Sequence, residues 1–157
     1  MRFPIVILAL VFLATCGSPN PEVSSPPVSV EVGVASVLGG TEEGLYPPES
    51  HEGSTVRWTS GEARIVVPND LTNPAQSMSV AVWPFRGPGV SALRVLVNRD
   101  VLYEGNPEGE WSQTFDLGAY AESPSLQIEL LSDSGAPSGD GRVLGFPIKS
   151  VQITTAH

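Results

Sequence analysis

Apolar residues in this chain recur at every second position, in short bursts that glycine, proline and asparagine interrupt. Period-two alternation is the mark of a strand with one face to bury. "SVEVGVAS" (29–36) alternates through Val30, Val32 and Val34. "STVRWTS" (54–60) sets Val56 and Trp58 on one face and Arg57 on the other, and a tight turn at Gly61 is expected to lead into "EARIVVP" (62–68). "MSVAVWPF" (78–85) alternates through Met78, Val80 and Val82, and "ALRVLVN" (92–98) through Leu93, Val95 and Val97. Asn98-Arg99-Asp100 is the expected hairpin corner into "RDVLYEG". "EWSQTFDLG" (110–118), "LQIELLS" (126–132) and a closing strand within "VLGFPIKSVQIT" (143–154) complete the set. Residues 39–53 are expected to be a long loop.

No segment keeps a 3.6-residue apolar period over the length of an ordinary helix. Eight or nine short strands with such turns fit two antiparallel sheets packed face to face, because each strand then has one face to bury. The fold class expected is therefore all-β, a two-sheet antiparallel β-sandwich over residues 29–157, one domain in size. Cys16 is the only cysteine, so no intrachain disulfide supports the fold and the apolar core must carry it.

The first residues differ in character. "MRFPIVILALVFLATC" has one basic residue, Arg2, and then an apolar run too short for a spanning helix of about 20 residues. It has the length of an export signal core. "LATC" (13–16) resembles the lipobox of bacterial lipoproteins, with Thr15 where a smaller residue is usual. That resemblance implies a signal peptide over 1–15, a diacylglyceryl group on Cys16 and membrane lipid as a partner. Gly17 after the cysteine points toward the outer membrane where a cell has one. A plain secretory peptide cut near "ATCGS" is the other reading. The segment after Cys16 to residue 28 is rich in proline and serine and reads as an extended tether. The expected location is the bacterial cell envelope, facing the periplasm or the exterior.

Composition excludes some classes of partner. Seventeen acidic residues stand against eight basic ones, and Lys149 is the only lysine. Binding to phosphate backbones depends on lysine and arginine, so nucleic acid is not expected. Only His51 and His157 can serve as an imidazole base, and neither comes with the pattern of a nucleophilic triad. There is no phosphate-binding glycine loop, lipase elbow or zinc spacing. We expect no enzyme activity, no cofactor and no required metal. Asp133 and Asp140 in "SDSGAPSGDG" are a weak calcium alternative, with capped turns as the simpler reading.

The aromatic residues remain. Trp58 and Trp111 are in phase with aliphatic strand positions and are expected in the core. Trp83 breaks the phase of Val80 and Val82, and with Pro84 beside it is expected to face outward at a strand edge. Tyr46 is a surface candidate before two prolines. Arg57 is expected to pair with a glutamate, as a clasp or as a ligand-binding fork.

Several stretches together resemble a small bacterial β-sandwich domain found in uncharacterised lipoproteins and at the C-terminus of glycosyltransferase-like membrane proteins. They are "GLYPPE" (44–49), "VRWTSGEA" (56–63), "LRVLVNRDVL" (93–102), "WSQTFDL" (111–117) and "IELLSDSGAPSGDGRVLGFPIKSVQI" (128–153). Arg99 replaces the usual hairpin glycine, and Gly141 separates Asp140 from Arg142. The resemblance implies a jelly-roll-like sandwich similar to carbohydrate-binding modules, without catalysis. It brings no binding residues with it. The candidate positions are Tyr46, Glu49, Arg57, Trp83, Asp133, Asp140 and Arg142, as ligand contacts or as a structural clasp. A clasp is the preferred role of Arg142, since its planar fork can join two backbone segments. The expected function is a non-catalytic envelope lipoprotein with a binding or structural role. The alternatives are a carbohydrate-binding module with a glycan partner, and a protein-interaction subunit of an envelope complex.

Overall fold

The computed structural model describes residues 39–87, 89–133 and 138–155. The expected signal segment and tether, Cys16, the strand expected at 29–36 and His157 lie outside the described residues. The rest is an antiparallel β-sandwich of the jelly-roll kind. Its strands are β1 (Thr41–Leu45), β2 (Glu49–His51), β3 (Ser54–Pro68), β4 (Ala75–Val82), β5 (Leu93–Val97), β6 (Asp100–Gly105), β7 (Trp111–Asp116), β8 (Ser125–Ser132) and β9 (Pro147–Thr155). A single 3-10 turn, Gly118–Tyr120, is the helical element among the described residues.

One hydrogen-bonded path runs β6-β5-β8-β3-β9-β4-β7, and β1 and β2 also pair with β3. The path folds into two layers at β3. From Glu62 to Pro68 this strand pairs with β8, while Arg57 and Trp58 pair with Ile148 and Pro147 of β9. The expected turn at Gly61 is therefore replaced by one strand of 15 residues. Gly61 has a φ of 96°, a left-handed value that lets the strand bend between layers without ending.

Residues 39–53 are likewise not one loop. β1 runs beside β3, with Thr41 opposite Val66 and Leu45 opposite Thr59, and β2 pairs Glu49 with Val56. These strands are short and polar, so their alternation is faint in the sequence. Gly44, at a φ of 70°, lies so close to the Glu62 carbonyl that a Cβ there would overlap it.

The inner faces follow the alternation. Met78, Val80 and Val82 of β4, Leu93, Val95 and Val97 of β5, and Leu126, Ile128 and Leu130 of β8 are all buried in one cluster with Val151 and Ile153 of β9. Fully burying each such side chain is worth about 1.5–3 kcal/mol. Trp111 is partly buried against this cluster, with its ring 4.7 Å from that of Tyr103. Trp58 departs from expectation: it is half-buried and lies outside the core cluster. Its neighbour Arg57 is aligned with the fully buried Ile148 instead, so the inward face of β3 at this point carries the arginine.

The hairpin corner is Asn98-Arg99, with φ values of 51° and 76°. Two left-handed residues in sequence give the twist that a two-residue hairpin loop needs. The Asn98 side chain holds the corner to β8, accepting from the Gln127 amide at 2.8 Å. The closing strand begins only at Pro147, and the first residue of a strand is a position where a missing N–H is tolerated. Before it, Gly145 donates to the Thr59 carbonyl (2.8 Å), and the Thr59 amide donates to Phe146 O (3.0 Å). A side chain at Gly145 would overlap the hydroxyls of Thr59 and Ser132, so glycine is needed where the layers meet.

Candidate ligand-binding surface

Alternation along β3 puts Val56 and Trp58 on the face opposite Arg57. On β9 it puts Lys149 opposite the core residue Ile148. The pairing of β2 with β3 adds Glu49 and His51 to this outer face. Trp83, one residue past β4, points away from the buried Val82 and is half-buried.

These side chains meet. The exposed imidazole of His51 stands edge-on to Trp83, at 6.4 Å between centroids, and to Phe85, at 5.1 Å. Phe85 is 47% exposed, one of the large apolar side chains most open to water. The Lys149 ammonium lies 5.2 Å from the Trp83 ring centroid and bonds Glu110 Oε1 at 2.7 Å. The sole lysine of the chain thus sits on this aromatic group. Trp83 Nε1 is buried without a hydrogen-bond partner among the described residues, so it is the ring faces and edges that this residue offers. Val56 is buried yet lies outside the main core cluster, as expected of a residue beneath this outer group.

A second cluster adjoins through Glu49, two residues before His51. Arg142 bonds Glu49 through Nη1 and Asp140 Oδ2 through Nε (2.6 Å), and its guanidinium carbon lies 5.3 Å from the Tyr46 ring centroid. The Tyr46 hydroxyl donates to Val143 O at 3.2 Å. Ser138 donates to Asp140 Oδ1 and to Arg142 O. Those contacts hold the Asp140 carboxyl down to about 2, with the Ser138 hydroxyl the largest cause and the amide and guanidinium of Arg142 next. Arg142 is in turn raised, chiefly by its bond to Glu49. Roughly a third of the Arg142 side chain remains exposed.

Arg57 is committed inward. Its Nη1 donates to Glu42 Oε1 (2.6 Å), its Nε to Tyr46 O (2.8 Å) and its Nη2 to Leu45 O (3.2 Å). With only 7% of the residue exposed, no fork is left for a ligand. It positions the Leu45–Tyr46 backbone, and through it the Tyr46 ring. Asp133 stands apart and accepts from Ser91 Oγ at 2.7 Å. Asp133 and Asp140 thus hold different partners. Among the described residues, no three histidine, cysteine, aspartate or glutamate side chains converge to hold a metal.

Sequence reasoning placed Tyr46, Glu49, Trp83 and Arg142 on the candidate list and left out His51, Phe85, Lys149 and Glu110. The "WPF" stretch was the available signal for Phe85. His51 falls in the stretch expected to be a loop; it lies on a strand instead, exposed and between two rings.

No family model matches the sequence, and no curated protein matches it. Among solved structures, the chain is similar to a family 35 carbohydrate binding module from Clostridium thermocellum. That match has 10% identity and a TM-score of 0.48, over 82% of this chain and 98% of the other. It is also similar to the exo-beta-1,3-galactanase of Phanerochaete chrysosporium solved with beta-1,3-galactotriose (12% identity, TM-score 0.47, 82% of this chain and 29% of that one). A third is the CBM51 from Clostridium perfringens GH95 in complex with methyl-galactose (8%, 0.43, 79% and 99%). Likenesses this distant say nothing of what this chain binds.

Proposed function

We propose that this protein is a non-catalytic binding module whose ligand is a saccharide, held on the outer surface formed by His51, Trp83, Phe85 and Lys149. The observation that carries this reading is the exposed aromatic group with charged and hydrogen-bonding side chains at its margin. The C–H faces of a sugar ring are apolar and lie flat on aromatic rings. Its hydroxyls need donors and acceptors beside them, and Lys149, Glu110 and Glu49 supply both kinds. The surface is open, which suits a chain-like ligand better than an enclosed small molecule.

Catalysis has less support. His51, the one described histidine, contacts two rings and is not hydrogen-bonded to a nucleophile or a carboxylate among the described residues. The module is proposed to be displayed at the bacterial envelope by lipid on Cys16, with residues 17–28 as the tether. This part rests on the sequence of residues 1–28 alone.

The test is a glycan array probed with the full chain and with Trp83→Ala and Phe85→Ala. Retention of a defined glycan class by the wild type, lost in both variants, supports the reading. Retention of a membrane protein from solubilised envelopes in a Trp83-dependent manner, with no glycan retained, overturns it in favour of an interaction subunit.

A further inference from the structure

Acidic side chains outnumber basic ones around the candidate surface. Glu49 and Glu52 flank His51 closely along the chain, Glu110 holds Lys149, and Asp140 shares Arg142 with Glu49. Arg142 and Lys149 are the cations that answer these carboxylates, so a negative excess remains, within a chain of net charge −9. Such a field repels an anionic saccharide and gives a neutral one no electrostatic gain. It attracts a cationic one.

The Lys149 ammonium marks where a cation fits. It lies over the Trp83 ring, 5.2 Å from the centroid, and donates to Glu110 Oε1 at 2.7 Å. An aromatic face with a carboxylate beside it holds an ammonium group through the ring quadrupole and a charge-assisted hydrogen bond. Both Lys149 and Glu110 are open to water. An exposed lysine pair gains little net, because a long flexible stem must be ordered to make it. An ammonium carried on a rigid sugar ring meets the same two groups without that loss.

We propose that the saccharide bound here carries free, protonated amino groups, one of which replaces the Lys149 ammonium between Trp83 and Glu110. The inference rests on the saccharide reading above and adds the ligand's charge to it. The apolar face of the amino sugar then lies across the rings of Trp83 and Phe85. Displaced, Lys149 stays at the margin as a donor to hydroxyls. The lysine is in this way a tethered competitor. A neutral saccharide has to lift it off the indole with only a hydroxyl to offer Glu110 in its place, so Lys149 selects for the amine.

Oligomers of chitosan, chitin and cellulose test it, since they share one backbone and bear an amine, an acetamide or a hydroxyl at the same ring carbon. Binding to the full chain in detergent micelles is measured by calorimetry, at a pH that keeps the chitosan amines protonated. The chitosan oligomer should bind at least about fivefold more tightly than the other two. Added salt should shrink that preference. Lys149→Met keeps the stem and removes the ammonium. It should tighten chitosan binding roughly fivefold and cellulose binding not at all, whereas Glu110→Gln should weaken chitosan binding about as much. Lysine-specific isotope labelling gives NMR a single signal, because Lys149 is the only lysine. That signal should lose its ring-current shift when the chitosan oligomer is added. Equal binding of the three oligomers, or a neutral or acidic glycan preferred in a Trp83-dependent manner, overturns the proposal and leaves the saccharide reading standing. A Lys149→Met variant that binds chitosan no more tightly also overturns it. So does chitosan binding that persists in Trp83→Ala, which is adsorption of a polycation to an acidic chain. Oligolysine held as tightly as chitosan overturns it too, and assigns the cation's place to a basic peptide. No Trp83-dependent saccharide at all removes the reading beneath the proposal as well.

Discussion

Arg57 of β3 and Glu42 of its neighbour β1 form an ion pair of 2.6 Å, one guanidinium nitrogen on the carboxylate and the other two on the carbonyls of Leu45 and Tyr46. The arginine is nearly buried and the glutamate about a third exposed. Removing one partner of a buried pair leaves the other without its charge partner and costs about 3–5 kcal/mol, and the exposure of Glu42 places this pair near the lower end. Arg57→Ala is therefore expected to lower unfolding stability by about 3 kcal/mol in urea denaturation. Arg57→Lys should recover little, because an ammonium cannot reach three acceptors in one plane. Full stability in Arg57→Lys would show that charge alone matters here.

Gly44 is expected to resist any side chain. An added Cβ would overlap the Glu62 carbonyl, and the left-handed φ adds strain of about 1–2 kcal/mol for an ordinary residue. Gly44→Ala should cost about 2 kcal/mol or more in chemical denaturation. A neutral result would mean that β1 shifts along β3 without loss.

Asp140 should stay ionised in acid. Its carboxyl is depressed from the usual 3.8 to about 2. The stability it contributes is present in full above pH about 4 and is lost as pH falls through about 2. Carbon-detected NMR titration should place the midpoint of the Asp140 carboxyl at about 2. Ser138→Ala should raise that midpoint most, since the serine hydroxyl is the largest cause.

Arg142 is a different kind of arginine from Arg57. It is partly open to water, and exposed pairs gain little net stability. Arg142→Ala is expected to shift the melting temperature only slightly, while freeing the Tyr46 ring that it covers. Fluorescence of Tyr46 in a variant lacking Tyr103 and Tyr120, or selective NMR of its ring, would report the change. A large drop in melting temperature would instead give Arg142 a central structural part.

Much of the sandwich was legible because its central strands bury one face each, so Met78, Val80, Val82, Leu126, Ile128 and Leu130 advertise themselves. β1 and β2 were not, because they lie on an edge and bury backbone bonds more than side chains. Gly61 misled for a related reason: a glycine between two apolar bursts looks like a turn, and the bend it permits here keeps the strand intact. At the candidate surface, Trp83 stood out by breaking phase. His51 and Lys149 reach it only through pairing across sequence separations of dozens of residues, which no local pattern encodes.

The sharing of β3 between layers also sets an order of events during folding. Thr59 has its backbone partners at Gly145 and Phe146, and Arg57 meets Ile148, so the bend is completed by the last part of the chain. A polypeptide still lacking those residues can pair β3 with β8 but cannot join β3 to β4, because β9 is the strand between them. Closure of such distant ends is slow, on the order of milliseconds to seconds for two-state β-sandwiches. The two layers would thus remain unjoined until the final strand arrives.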